Sequence, residues 1–298
     1  VAVLGVDLGG TSIKIGVFEQ AGIIKEKFVF PTKEPVYESL EAAIETVMSK
    51  HSGVKAIGIG TPGFVDREKG RIIFASENLP GWSGTEVKKQ LESKFHLSVI
   101  VENDANVATL AEVNHGSAKN YKSALMLTLG TGVGGGVVID NKILYGPHGA
   151  VGEFGHMILY PEGHECNCGR RGCQEQYVSG HSIERRIREA GLSVTPLELM
   201  QMKEQSMAAQ EIINDFTYDL ALSISSLQAA FDMEVLILGG GVSHSAGYWM
   251  DDLNKHLKDL LFHPLEVAIA ELKNDAGIVG AAALVFIDER KETVTFNR

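Results

Sequence analysis

Residues 1–18, VAVLGVDLGGTSIKIGVF, decide how the rest of this chain is read. An apolar run rich in valine and leucine ends at Asp7 and a Gly9–Gly10 turn, and a second β-rich run, IKIGVF, follows at once; such runs bounded by turn residues are strands. After the turn-like EQAG a third run, IIKEKFVF, completes an antiparallel meander. From Glu38 to Lys50 the apolar residues Leu40, Ala43, Ile44, Val47 and Met48 recur at helical spacing, and this helix leads into the strand KAIGIG, closed by TPG. The unit is β-β-β-α-β. SVIV then enters the turn ENDAN at 102–106, and NVATLAEV leaves it with the composition of a helix.

A similar order recurs after Lys122. ALMLTLG, GGVVID and the short KILYG read as three strands, followed by a long helix around 210–230 and the strand VLILGGG. Each half carries a glycine turn after its first strand, at 9–10 and at 130–132. Two such halves facing each other would make a cleft with glycine-rich turns on both walls. The expected division is a smaller α/β domain over 1–116, joined by a C-terminal helix over 276–288, and a larger α/β domain over 117–275 that carries a cysteine loop.

Composition narrows the function classes. With 298 residues the chain has room for about one to two domains, and a 44% hydrophobic and 22% charged make-up is that of a folded soluble protein. No run of about 18 apolar residues occurs and no basic segment precedes the opening strand, so a cytoplasmic protein without a membrane span is expected. A net charge of −11 repels a phosphate backbone, which argues against nucleic acid as a partner. An acidic protein can still bind a nucleotide, because glycine turns let backbone N–H groups approach phosphate oxygens closely. No GxxxxGK[ST] is present, and GTGVGG lacks the helix and the distant acidic residue of a dinucleotide site. All three cysteines fall within CNCGRRGC at 166–173. Three thiols cannot all pair within one chain, and their close spacing points to a metal.

The order of motifs carries a resemblance. DLGGTSIK at 7–14, GIGTPGFVD at 58–66, ENDAN at 102–106, LGTGVGGG at 129–136, GEFGH at 152–156, CNCGRRGCQE at 166–175 and LGGGVS at 238–243 together resemble the ROK family of repressors and sugar kinases. The resemblance spans nearly the whole chain. It implies the actin-like ATPase fold, an α/β architecture of two ribonuclease-H-like domains with an interdomain cleft. It also implies ATP-dependent phosphorylation of a hexose at its 6-hydroxyl, with glucose the first candidate and N-acetylglucosamine, N-acetylmannosamine or fructose the alternatives. A sugar-sensing transcriptional regulator is the alternative of another class. Because the strand signal starts at the first residues and the charge is acidic, a DNA-binding module ahead of the core is not expected. A homodimer or higher homo-oligomer is.

The resemblance also assigns roles. Asp104 is the expected base toward the sugar hydroxyl, against the plainer reading of an N-cap aspartate. Asp7 would orient the water shell of Mg²⁺ facing the ATP phosphates, or simply cap its turn. Gly9, Gly10 and Thr11 would offer donors to those phosphates. Lys14 would either add a point charge there or stay solvated. Gly130, Thr131 and Gly132 would clamp the phosphates from the second domain, and Gly239 and Gly240 would face the adenosine. Asn78, Asn103, Asp104, Glu153, His156 and Glu175 are the expected sugar contacts. Cys166, Cys168 and Cys173 supply three soft ligands for a structural Zn²⁺, which takes four in a tetrahedron. The family pattern picks His156 as the fourth, with His164 in EGHEC its rival. The metal would then brace GEFGH against the loop leading to Glu175, with no helix or sheet to hold them.

Overall fold

The computed structural model describes residues 2–75, 79–140 and 142–294, the last six of these by backbone only. By internal contacts the chain divides into two units. One holds residues 1–119, 141–151 and 272–298, the other residues 120–140 and 152–271.

In the first unit β1 (Ala2–Leu8), β2 (Ser12–Gln20) and β3 (Ile23–Pro31) form the meander. Helix α1 (Val36–Lys50) then leads to β4 (Val54–Thr61). A small hairpin, β5 (Phe64–Asp66) and β6 (Arg71–Phe74), precedes α2 (Val87–Phe95), β7 (Ser98–Asn103) and α3 (Asp104–His115). The sheet order is β3-β2-β1-β4-β7, with β4 parallel to both β1 and β7. Alternate residues of β1 face opposite layers. Leu4, Val6 and Leu8 join Leu40, Ile44 and Val47 of α1, whereas Val3 joins Ile278, Val279 and Ala282 of a C-terminal helix. That helix presses its backbone onto the sheet over two glycines. A Cβ at Gly5 would lie 2.0 Å from the Ile278 carbonyl oxygen, and one at Gly58 1.8 Å from that of Ala281. Only glycine permits an approach this close.

The second unit repeats the plan. β8 (Ser123–Leu129) and β9 (Val133–Ile139) are antiparallel; the strand expected over KILYG shrinks to β10 (Lys142–Ile143), whose residues group with the first unit. The chain passes through the short α4 (Glu175–Val178), α5 (Gly180–Glu189) and α6 (Pro196–Gln201) to the long α7 (Met207–Phe231). β11 (Val235–Gly239), α8 (Met250–Leu260) and β12 (Glu266–Ile269) follow. Within this unit the order β9-β8-β11-β12 matches β2-β1-β4-β7 of the first sheet, with β11 parallel to β8 and β12. The last described element is α9 (Ala276–Val294), the helix that packs on β1 and β4 beside α3. Among the described residues no helix is long and apolar enough to cross a membrane.

Candidate functional site

In the first unit the strand register collects the chemistry at one sheet edge. Asp7 at the end of β1 pairs in register with Gly60 of β4, and Gly60 with Glu102 of β7. Asp7 and the ENDAN turn therefore stand two strand spacings apart, about 10 Å, at the carboxyl ends of parallel strands. The β1–β2 turn is closed by Gly9 N–H donating to Ser12 O at 2.9 Å, which leaves Gly10 and Thr11 exposed at its tip. Lys14 does not stand apart in solvent; its Nζ lies 3.1 Å from Asp7 Oδ2. A Cβ at Gly277 would fall 2.8 Å from the same oxygen, so the Asp7 carboxylate also abuts the first turn of α9.

At the β7–α3 junction the expected N-cap and base separate. Asn103 is the cap: its Oδ1 accepts from the N–H groups of Ala105 at 2.9 Å and Asn106 at 3.2 Å. Its Nδ2 donates to Gly63 O at 3.1 Å, so most of the amide intended for a sugar is spent within the unit. Asp104 is the first helical residue, with Oδ1 accepting from Ala105 N–H at 2.8 Å. Asn78 lies outside the described residues.

In the second unit Gly130, Thr131 and Gly132 form the turn between β8 and β9, and Gly239 at the end of β11 pairs in register with Thr128. The Gly239–Gly240 turn and the GTG turn thus share one edge of that sheet. Gly132 is fixed by a close approach. Glu175, at the start of α4, accepts from Val133 N–H at 3.0 Å through Oε2, and a Cβ on Gly132 would meet that oxygen at 2.2 Å. The other Glu175 oxygen lies 3.9 Å from Cys166 Sγ, so the carboxylate links the glycine turn to the cysteine loop. Glu153 faces His156 Nε2 at 3.9 Å. Burial pushes the Glu153 carboxyl up; the His156 charge opposes this and the Glu175 charge adds to it.

The cysteine loop brings four soft donors together. One ligand atom from each of His156, Cys166, Cys168 and Cys173 lies within 4.8 Å of the others. Cys168 and Cys173 sulfurs are 3.6 Å apart, and His156 Nδ1 is 3.7 Å from Cys166 Sγ. With Zn–S near 2.3 Å, a tetrahedron has edges of about 3.7 Å, so the donor set fits zinc. His164 does not join the group; its ring tilts against Tyr177, with 5.3 Å between centroids. Burial pushes the Cys173 thiol up to about 12. At Cys168 burial is outweighed by hydrogen bonds from Arg170 and the neighbouring thiols, which bring it down to about 6. The loop thus offers a ready thiolate, the form that binds metal. One expectation is corrected: the braced segments do have backbone holding them. Ile158 and Cys173 form a β-bridge, Leu159 N–H donates to Gly172 O at 2.8 Å, and Gln174 N–H donates to Met157 O at 2.8 Å.

Glu102 and Val133 escaped the sequence reading as contributors to the site. Glu102 lies on the Ile100 face of β7, opposite Val99 and Val101, so its burial breaks the strand's alternation and left no local signal. The backbone N–H of Val133 left no signal.

Comparison with known proteins places this geometry. A glucokinase of Streptomyces coelicolor is 35% identical over 309 aligned residues, covering 94% of this chain and 96% of that one. An N-acetyl-D-glucosamine kinase of Aliivibrio salmonicida is 34% identical, covering 94% and 98%. The crystal structure of a ROK family glucokinase from Streptomyces griseus, in complex with glucose and AMPPNP, superposes with a TM-score of 0.80 at 31% identity, covering 95% of this chain and 99% of that one. The duplicated sheets and this match give the chain the actin-like ATPase fold. The ROK family signature itself matches residues 3–287, and the chain belongs to the ROK family.

Proposed function

We propose that the protein is an ATP-dependent hexose kinase that phosphorylates the 6-hydroxyl, with glucose its first substrate. The observation that carries the reading is the register of β1, β4 and β7, which sets Asp7 and the ENDAN turn on one sheet edge. Phosphoryl transfer needs phosphate charge held in place and a base for the acceptor hydroxyl, and both groups stand at that edge. Asp104 accepts the hydroxyl proton. Asn103 performs the capping, so the helix start does not depend on the Asp104 side chain. Lys14 and the exposed tip of the β1–β2 turn orient the phosphates; the GTG turn of the second unit offers backbone donors of the kind that phosphate oxygens accept. The Asp7 carboxylate is an oxygen donor of the kind Mg²⁺ takes, with Lys14 paired to one of its oxygens; Mg²⁺, when bound, would neutralise phosphate charge. Glu153, His156 and Glu175 bind sugar hydroxyls, where a matched donor and acceptor avoids the roughly 1–3 kcal/mol cost of an unpaired buried polar group. His156, Cys166, Cys168 and Cys173 would hold a structural zinc, which when bound would keep the His156 ring oriented.

The test is Asp104→Asn, assayed by coupled ADP release over glucose, N-acetylglucosamine, N-acetylmannosamine and fructose. Loss of general-base catalysis predicts a fall in kcat of about 10²–10⁴-fold with glucose binding and melting temperature retained. A variant that turns over near the wild-type rate removes Asp104 from the mechanism.

A further inference from the structure

We infer that Glu102 is a positioning residue for the phosphoryl-acceptor chemistry, acting by clamping the turn that presents Asp104. The inference rests on Asp104 being the base. Glu102 is 3% exposed at the end of β7, an expensive place for a carboxylate unless its charge is used. One oxygen, Oε1, accepts from Asn103 N–H at 2.8 Å and from Asn106 Nδ2 at 3.0 Å. These two donors belong to residues on either side of Asp104, so a single buried atom fixes the start and the end of the turn that carries the base. The other oxygen, Oε2, is buried without a close hydrogen bond among the described residues; Arg67 Nε stands 3.9 Å from it, and the Tyr145 hydroxyl faces the same carboxylate. Arg67 in turn stacks its guanidinium over the Tyr145 ring, 4.4 Å from the centroid. Burial, reinforced by the charge of Glu102 and a hydrogen bond to it and opposed by the Arg67 charge, pushes the Tyr145 phenol up.

Both bonds fall on residues that flank the proposed base, so they hold the backbone on each side of residue 104. The bonds to Asn103 and Asn106 are local and short, and the turn they brace is already capped by Asn103. What the clamp adds is a fixed direction for residue 104. A base displaced by about 1 Å can lose about 10²-fold in rate while leaving ground-state binding intact.

The experiment measures kcat and glucose KM for Glu102→Ala, Glu102→Gln, Asn106→Ala and Asp104→Asn in the full chain, with melting temperature and glucose binding followed in parallel. Glu102→Ala is expected to lower kcat by about 10²-fold with little change in glucose KM. Glu102→Gln keeps an acceptor oxygen for both donors and is expected to recover most of that rate. Wild-type kcat in Glu102→Ala, or a Gln variant as slow as the Ala variant, overturns the clamp. Should Glu102→Ala fail to fold, Asn106→Ala carries the test: a lower kcat at unchanged KM is expected, and an unchanged kcat overturns it. Asp104→Asn keeps the two ideas separate, because an inactive Asp104→Asn beside a fully active Glu102→Ala sinks only the clamp.

Discussion

Gly132→Ala tests the link between the glycine turn and the cysteine loop. The added Cβ would stand 2.2 Å from Glu175 Oε2 and 3.2 Å from its Cδ. Ordinary contact distances of about 3.5 Å require the carboxylate to retreat by about 1 Å. The same oxygen accepts from Val133 N–H at 3.0 Å, and a retreat of that size takes the bond beyond hydrogen-bonding range. A hydrogen bond to a charged group contributes about 1.5–3 kcal/mol. If Glu175 binds the sugar from its present position, a loss of that size raises glucose KM by about tenfold to a hundredfold. Steady-state kinetics with glucose and ATP varied in turn is the assay, with Glu175→Ala and the double variant completing a cycle. The two changes remove the same carboxylate position, so their effects should be strongly non-additive. Glucose KM that stays at the wild-type value in Gly132→Ala, while Glu175→Ala raises it, refutes the reasoning.

Three further outcomes follow from the same contacts. Gly58→Ala drives a Cβ to 1.8 Å from a backbone oxygen of α9, which cannot swing aside as a side chain can; overpacking of about 1–3 kcal/mol should lower the melting temperature by several degrees in differential scanning calorimetry. Cys173→Ser, or treatment with a strong chelator, should remove zinc by elemental analysis and raise glucose KM, yet leave the fold, because the backbone bridges between 157–159 and 172–174 persist. Asp252 supplies a pH signature: burial raises its carboxyl, but hydrogen bonds from Lys203 and Lys255 outweigh this and hold it below the usual range. A depressed folded value stabilises above the unfolded pKa of about 3.9 and is lost as pH falls through the folded value. Asp252→Asn should therefore melt below wild type by a fraction of a kcal/mol at neutral pH, with the two curves converging in acid.

The sequence by itself determined the elements and the motif positions. Apolar runs ending in GG and GTG turns specify the two meanders, because strand period and turn chemistry act within a few residues. The ENDAN turn and the three clustered cysteines were legible for the same reason. Tertiary structure alone decided what distant segments do to one another. It laid α9 on Gly5 and Gly58, grouped residues 141–151 with the first unit, and gave the capping role to Asn103 rather than Asp104. It also put His156 in the cysteine cluster over the sequence-nearer His164. Glu175 reaches the Gly132 turn across 42 residues from Val133. Contacts of that kind depend on packed backbone geometry, which no local pattern encodes.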